Sequence, residues 1–244
     1  MFARRRSHAG WVLVFCTLAL VATPIQAAIL VDNAKGWKIT APNWAVSLGA
    51  SVHVHSEGGS DQLLIEIDKN FTGEPDRFGV FPSIILQFDQ VAADDATASS
   101  IVVLDEAVSN NTVIDWTDYH FVLFTYGIAN FDRDATFPSD ADPDTTLDDF
   151  YVLPFMGREW EPDIFVPGPG VVETLSLFDG IVPQGDQFSP GGGPNGGELV
   201  INVDLSGDDM AHFGFKELPT PEPTTATLLI LGCSALVTRR RRRA

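Results

Sequence analysis

Residues 45–55 read Ala45-Val46-Ser47-Leu48-Gly49-Ala50-Ser51-Val52-His53-Val54-His55, and their alternation decides the fold class. Val46, Leu48, Ala50, Val52 and Val54 interleave with Ser47, Gly49, Ser51, His53 and His55. Period two is the period of a β-strand, whose successive side chains point to opposite faces, so one face is buried and the other wetted. Outward from this stretch, short runs rich in Val, Ile, Phe and Thr recur between clusters of Gly, Pro, Asp and Asn. They predict strands at 28–32, 37–40, 45–55, 62–69, 83–90, 100–106, 119–126, 171–178, 198–205 and 212–217. No window of a dozen residues carries helical periodicity with caps. Ten short strands imply an all-β fold, an antiparallel β-sandwich of jelly-roll-like form. Residues 182–197, rich in Gly and Pro, read as a long hairpin loop, because too little chain follows for a second core.

Composition supports one globular body. Of 244 residues, 45% are hydrophobic and 20% charged, with a formal net charge of −18. So apolar a chain is not disordered, and so acidic a chain is not drawn to a polyphosphate backbone, which excludes nucleic acid as a partner.

Both ends read as processing signals. Arg4-Arg5-Arg6, an apolar run from Trp11 to Val21 and Pro24 ahead of Ala27-Ala28 form the three parts of a secretory signal peptide, with cleavage by signal peptidase after Ala27 or Ala28. At the other end Pro221-Glu222-Pro223 precedes a nearly uncharged apolar segment and then Arg239, Arg240, Arg241, Arg242 and Arg243. An arginine cluster after an apolar segment stays on the cytoplasmic side, so the chain before it lies outside. Residues 224–238 would make about 22 Å of helix against a hydrocarbon core of about 30 Å, which suits a temporary hold. These ordered features resemble the PEP-CTERM sorting signal. The resemblance implies processing by an exosortase-type membrane protease in bacteria that make extracellular polysaccharide. Leu218-Pro219 also begins like a sortase motif, but Thr220-Pro221 follows and that reading fails. The expected organisation is a signal peptide at 1–27, a sandwich at 28–218 and a sorting signal at 219–244.

Trimming leaves seven basic residues against 32 acids, a body charge near −25. Such a surface keeps the protein soluble and attracts cations, and it equally suits saline surroundings. Cys16 and Cys233 both fall in the trimmed ends, so the body has neither a disulfide nor a cysteine nucleophile. The densest acidic stretch sets Asp140, Asp142, Asp144, the carbonyl of Thr146 and Asp148 at alternate positions, as in a calcium loop. Thr145 replaces the usual Gly and Tyr151 the usual Glu, so a solvated acidic loop is the default reading, with a non-EF-hand calcium site at the sandwich rim as the alternative.

Other candidates are sparser. In an extended strand His53, His55 and Glu57 share one face and could hold zinc or copper, although a polar outer face predicts the same residues. Trp37, Trp44, Trp116 and Trp160 could stack on sugars or fill the core. The run from Asn110 to Phe121 resembles a stretch of exported PEP-CTERM β-sandwich proteins. Its turn chemistry reads as structural, with Trp116 and His120 as the residues that would contact a ligand. Nucleophile-elbow, zinc-protease, phosphate-loop and dinucleotide motifs are absent from the sequence. The expectation is therefore a non-enzymatic protein, held briefly at the inner membrane by its C-terminal helix and then placed at the cell surface or in the extracellular matrix. Two alternatives stand beside it: a calcium-dependent module binding extracellular polysaccharide, and a secreted carbohydrate-active hydrolase.

Overall fold

The alternating segments assemble into two sheets that share one core. The computed structural model describes residues 27–47, 49–55, 61–74, 81–125, 128–144, 148–161, 164–166, 170–192, 196–207 and 210–220. The expected signal peptide and the sorting tail, from Pro221 through Arg243, lie outside them.

Strands β1 (Ala27–Ala34) and β2 (Trp37–Pro42) form a hairpin. Its turn residues Lys35 and Gly36 have φ of 50° and 81°, the doubly positive geometry whose twist matches the flanking strands. After them come α1 (Asn43–Ser47), β3 (Ser51–His55), β4 (Gln62–Phe71), β5 (Ile84–Gln90) and β6 (Ser100–Asn110). The middle of the chain contributes β7 (Asp118–Thr125), β8 (Ala129–Phe131) and the single turns α2 (Arg133–Thr136) and α3 (Pro138–Ala141). It continues through β9 (Gly157–Trp160), β10 (Ile164–Val166) and β11 (Gly170–Phe178). The last strands are β12 (Gln187–Phe188), β13 (Leu199–Val203) and β14 (His212–Thr220). One sheet has the order β1-β2-β5-β14-β7-β11-β10, with β9 also on β11; the other runs β3-β4-β6-β13-β8, with β12 also on β6.

The all-β sandwich expected from the sequence is thus present, with four departures in detail. Residues 45–55 are not one strand. Gly49, at φ 88°, ends α1 in a Schellman arrangement in which its N–H donates to Val46 O and that of Ala50 to Ala45 O, both at 3.0 Å. One turn of helix and a strand share the same apolar spacing over so few residues, and only the glycine tells them apart. Secondly, β4 and β6 pair in parallel, against the wholly antiparallel expectation, because β5 crosses to the opposite sheet between them. Thirdly, residues 182–197 do not close a hairpin: they cross from β11 in one sheet to β13 in the other, pairing with β6 through β12 on the way. Finally, β14 runs to Thr220, two residues past the expected domain end, with Pro219 opposite Tyr119 and Thr220 opposite Asp118.

The core is aromatic. Phe213 stacks on Phe88 at 4.8 Å and meets Trp37 edge-on at 5.6 Å, while Phe71 of one sheet and Tyr119 of the other enclose Trp116. The Phe213 contacts pack side chains of one sheet together, while Phe71, edge-on to Trp116 and Tyr119, links the two sheets.

Candidate functional site

Charged groups lie inside this aromatic core. On β4, Leu63, Ile65, Ile67, Lys69 and Phe71 share the inward face, so strict alternation carries a lysine inward among aliphatics. By the same rule β14 turns in Phe213, Phe215 and Glu217, and β7 turns in Tyr119, Phe121 and Leu123. The third acid arrives through a bulge. Pairing of β4 with β6 skips Leu104, so Ile101 and Val103 face inward before it and Glu106, Val108 and Asn110 after it. The segment around Pro190 and Gly191 lies over that bulge: Glu106 N donates to Pro190 O, and a Cβ on Gly191 would sit 2.5 Å from Leu104 O.

Lys69, Glu106, Glu217 and Tyr119 therefore meet between the sheets, with relative exposures of 2%, 1%, 0% and 0%. Lys69 Nζ is in ion-pair contact with Glu217 Oε1 and lies 3.8 Å from Glu106 Oε1 and 5.3 Å from the Phe215 ring centre. The Tyr119 hydroxyl donates to Glu217 Oε2 at 2.6 Å. Neither lysine contact has hydrogen-bond geometry: Lys69 Nζ, Glu217 Oε1 and both Glu106 oxygens are buried without a hydrogen-bond partner among the described residues. Burial lowers the Lys69 amine to about 8 despite the attraction of Glu106. Burial likewise raises the Glu106 carboxyl to about 7 despite Lys69, and pushes the Tyr119 phenol well above its ordinary value. Each of these groups is biased toward its neutral form, which is the state in which an amine is a nucleophile and a carboxyl an acid.

The residues singled out from sequence are dispersed. Trp116 has no exposed surface, and its backbone bridges to Val182, so its ring is committed to packing. His120 lies on the other face of the same sheet. Ser176 Oγ donates to Glu161 Oε1, and His120 Nδ1 donates to that Oγ at 2.8 Å. The serine thus sits between acid and imidazole, which is not the order that activates a serine. Burial lowers the His120 ring's pKa, against Glu161 and Asp118, which raise it.

Asp140, Asp142, Asp144 and Asp148 do not converge: no group of three or more His, Cys, Asp or Glu among the described residues is placed to hold a metal. Arg158 instead bridges Asp140 and Asp149, each at 3.0 Å, while Asp142 Oδ1 accepts from Asp144 N at 3.1 Å. Thr146 lies outside the described residues. His53 and His55 face carboxylates on β4, with Nε2 3.3 Å from Asp68 and 3.1 Å from Glu66; Glu57 is outside the described residues. Of the tryptophans, Trp37 is fully buried and Trp160 has Arg133 over its ring at 5.3 Å. The Trp44 side chain is outside the described residues.

Neither protein families, curated proteins nor solved structures yield a match to this chain. The internal cluster is what reading for motifs missed, because Lys69 and Glu217 carry no motif. Its signal was parity: Lys69 lies two residues after Ile67 and two before Phe71, and Glu217 two after Phe215.

Proposed function

We propose that this chain is an exported, non-enzymatic protein of the cell surface or extracellular matrix, sorted through a PEP-CTERM tail by an exosortase-type protease. The observation that carries the reading is the order of the tail: Pro221-Glu222-Pro223, then an apolar segment, then Arg239 to Arg243 at the end of a chain that begins with a signal-peptide pattern. The body between the two patterns is one unit. The described strands, from β1 (Ala27–Ala34) to β14 (His212–Thr220), occupy the stretch between the leader pattern and the Pro-Glu-Pro motif. Cleavage after Ala27 or Ala28 removes at most the first two paired residues of β1, Ala27 opposite Pro42 and Ala28 opposite Ala41. The cargo is an acidic sandwich without a cysteine, delivered among secreted polysaccharide.

Replacing Pro221 and Pro223 by Ala tests the reading in the native host. Fractionation followed by immunoblotting should show a larger, membrane-retained form. Release of normally sized protein from the double variant would overturn the proposal.

A further inference from the structure

The geometry points to an amide bond, formed by the chain itself, between Lys69 Nζ and Glu217 Cδ, with Glu106 as the proton carrier. The two partners are already in contact in the core, with Lys69 2% exposed and Glu217 not at all. They belong to different sheets, β4 and β14, so the bond would tie the sandwich together across its core. As an ion pair the cluster is poorly satisfied, since four of its polar atoms lack hydrogen-bond partners. Condensation removes one positive and one negative charge from the core. It also replaces two orphaned groups by an amide whose oxygen Tyr119 already addresses.

The reaction balances without an oxidant or co-reactant. The ammonium proton of Lys69 passes to Glu217 Oε1, leaving a neutral amine and a neutral carboxyl. Nζ attacks Cδ, and the charge developing on Oε2 is met by the Tyr119 hydroxyl 2.6 Å away. Glu106, as carboxylate, takes a proton from the nitrogen and returns it to the Oε1 hydroxyl, which leaves as water when the C–O bond breaks. Glu106 ends as it began. Its carboxyl, held near 7 by burial, is suited to a proton that arrives and leaves. Holding amine and acid in contact supplies the effective concentration that free amines and acids in water lack.

Peptide mapping of the purified, denatured full-length chain decides the matter. The expected product is a branched peptide containing Lys69 and Glu217, lighter by one water than its two parts, with no tryptic cleavage at Lys69. It should be absent from Lys69→Arg and from Glu106→Ala. Separate Lys69 and Glu217 peptides at their sequence masses in the wild-type protein would overturn the bond, whether or not any variant folds. A branch from Lys69 to Glu106 would overturn the assignment of the acyl partner. Persistence of the bond in Glu106→Ala would overturn the proton carrier.

Discussion

Replacing the whole internal cluster by apolar residues separates a covalent tie from a simple ion-pair network by the sign of the stability change. The variant carries Lys69→Met, Glu106→Leu, Glu217→Leu and Tyr119→Phe, which roughly preserve volume and leave no orphaned hydroxyl. If the cluster were only a buried charge network, the exchange would be neutral or stabilise the fold by about 1–4 kcal/mol, because the desolvation cost of the charges disappears. A bond from Lys69 to Glu217 instead closes a loop of roughly 150 residues, and the chain-entropy relation assigns such a closure about 5 kcal/mol. In the bonded protein the Lys69 and Glu217 charges are already gone, so little relief from desolvation offsets the lost bond, and the variant should be destabilised by up to about 5 kcal/mol. Guanidinium unfolding followed by tryptophan fluorescence reads this directly, since Trp37 and Trp116 are both fully buried. The slope should also steepen in the variant, whose unfolded chain exposes more surface once the loop is opened. A variant as stable as the wild type, or more so, would refute the reasoning.

Further outcomes follow from neighbouring features. Glu106 binds its proton more tightly folded, at about 7 against an ordinary value of 4.5, so its burial costs stability above pH 7 and the cost fades as the pH falls through 7 toward 4.5. In a Glu217→Leu background, where no bond to Lys69 can form, adding Glu106→Gln with Lys69, Asp105 and Tyr119 still facing the site should remove about 3 kcal/mol of pH dependence between pH 4.5 and 7; parallel stability profiles for the two proteins would contradict the shift. Gly191→Ala, forced to φ 78° with its Cβ against Leu104 O, should lose about 1–3 kcal/mol by thermal unfolding, and an unchanged Tm would mean the loop does not hold the β6 bulge. A chain stopped after Leu218 loses the Thr117 N–H bond to Thr220 O and should melt below one stopped after Thr220, by about 1–2 kcal/mol; equal melting would place the domain end at Leu218.

Much of the architecture was legible because alternation is a local signal. The strands at β4, β5, β7 and β11 fall within two residues of where period two sets them. Strands β8, β9, β10 and β12 span two to four residues each, too few for a period to register, and exist because a neighbouring strand pairs with them. The parallel β4–β6 pair is a matter of which sheet β5 joins, and no local pattern encodes that choice. For the internal cluster the difficulty was different. Lys69 and Glu217 lie in register with buried residues, but a charged side chain at an inward position normally ends a strand prediction or is assigned to the surface. Glu106 was hidden further, since its inward aim depends on a one-residue bulge that reverses the parity of β6.

The placement of β14 has a kinetic consequence. It is the last segment of the domain to be synthesised, yet it lies in the interior of its sheet, between β5 and β7. Until residues 212–220 arrive, β1-β2-β5 and β7-β11-β10 are two separate flaps with facing edges unpaired. Folding cannot be completed from the N-terminus onward, as in a chain whose last strand is peripheral. The sandwich therefore locks only when its final strand has been made and has paired with β5 on one side and β7 on the other.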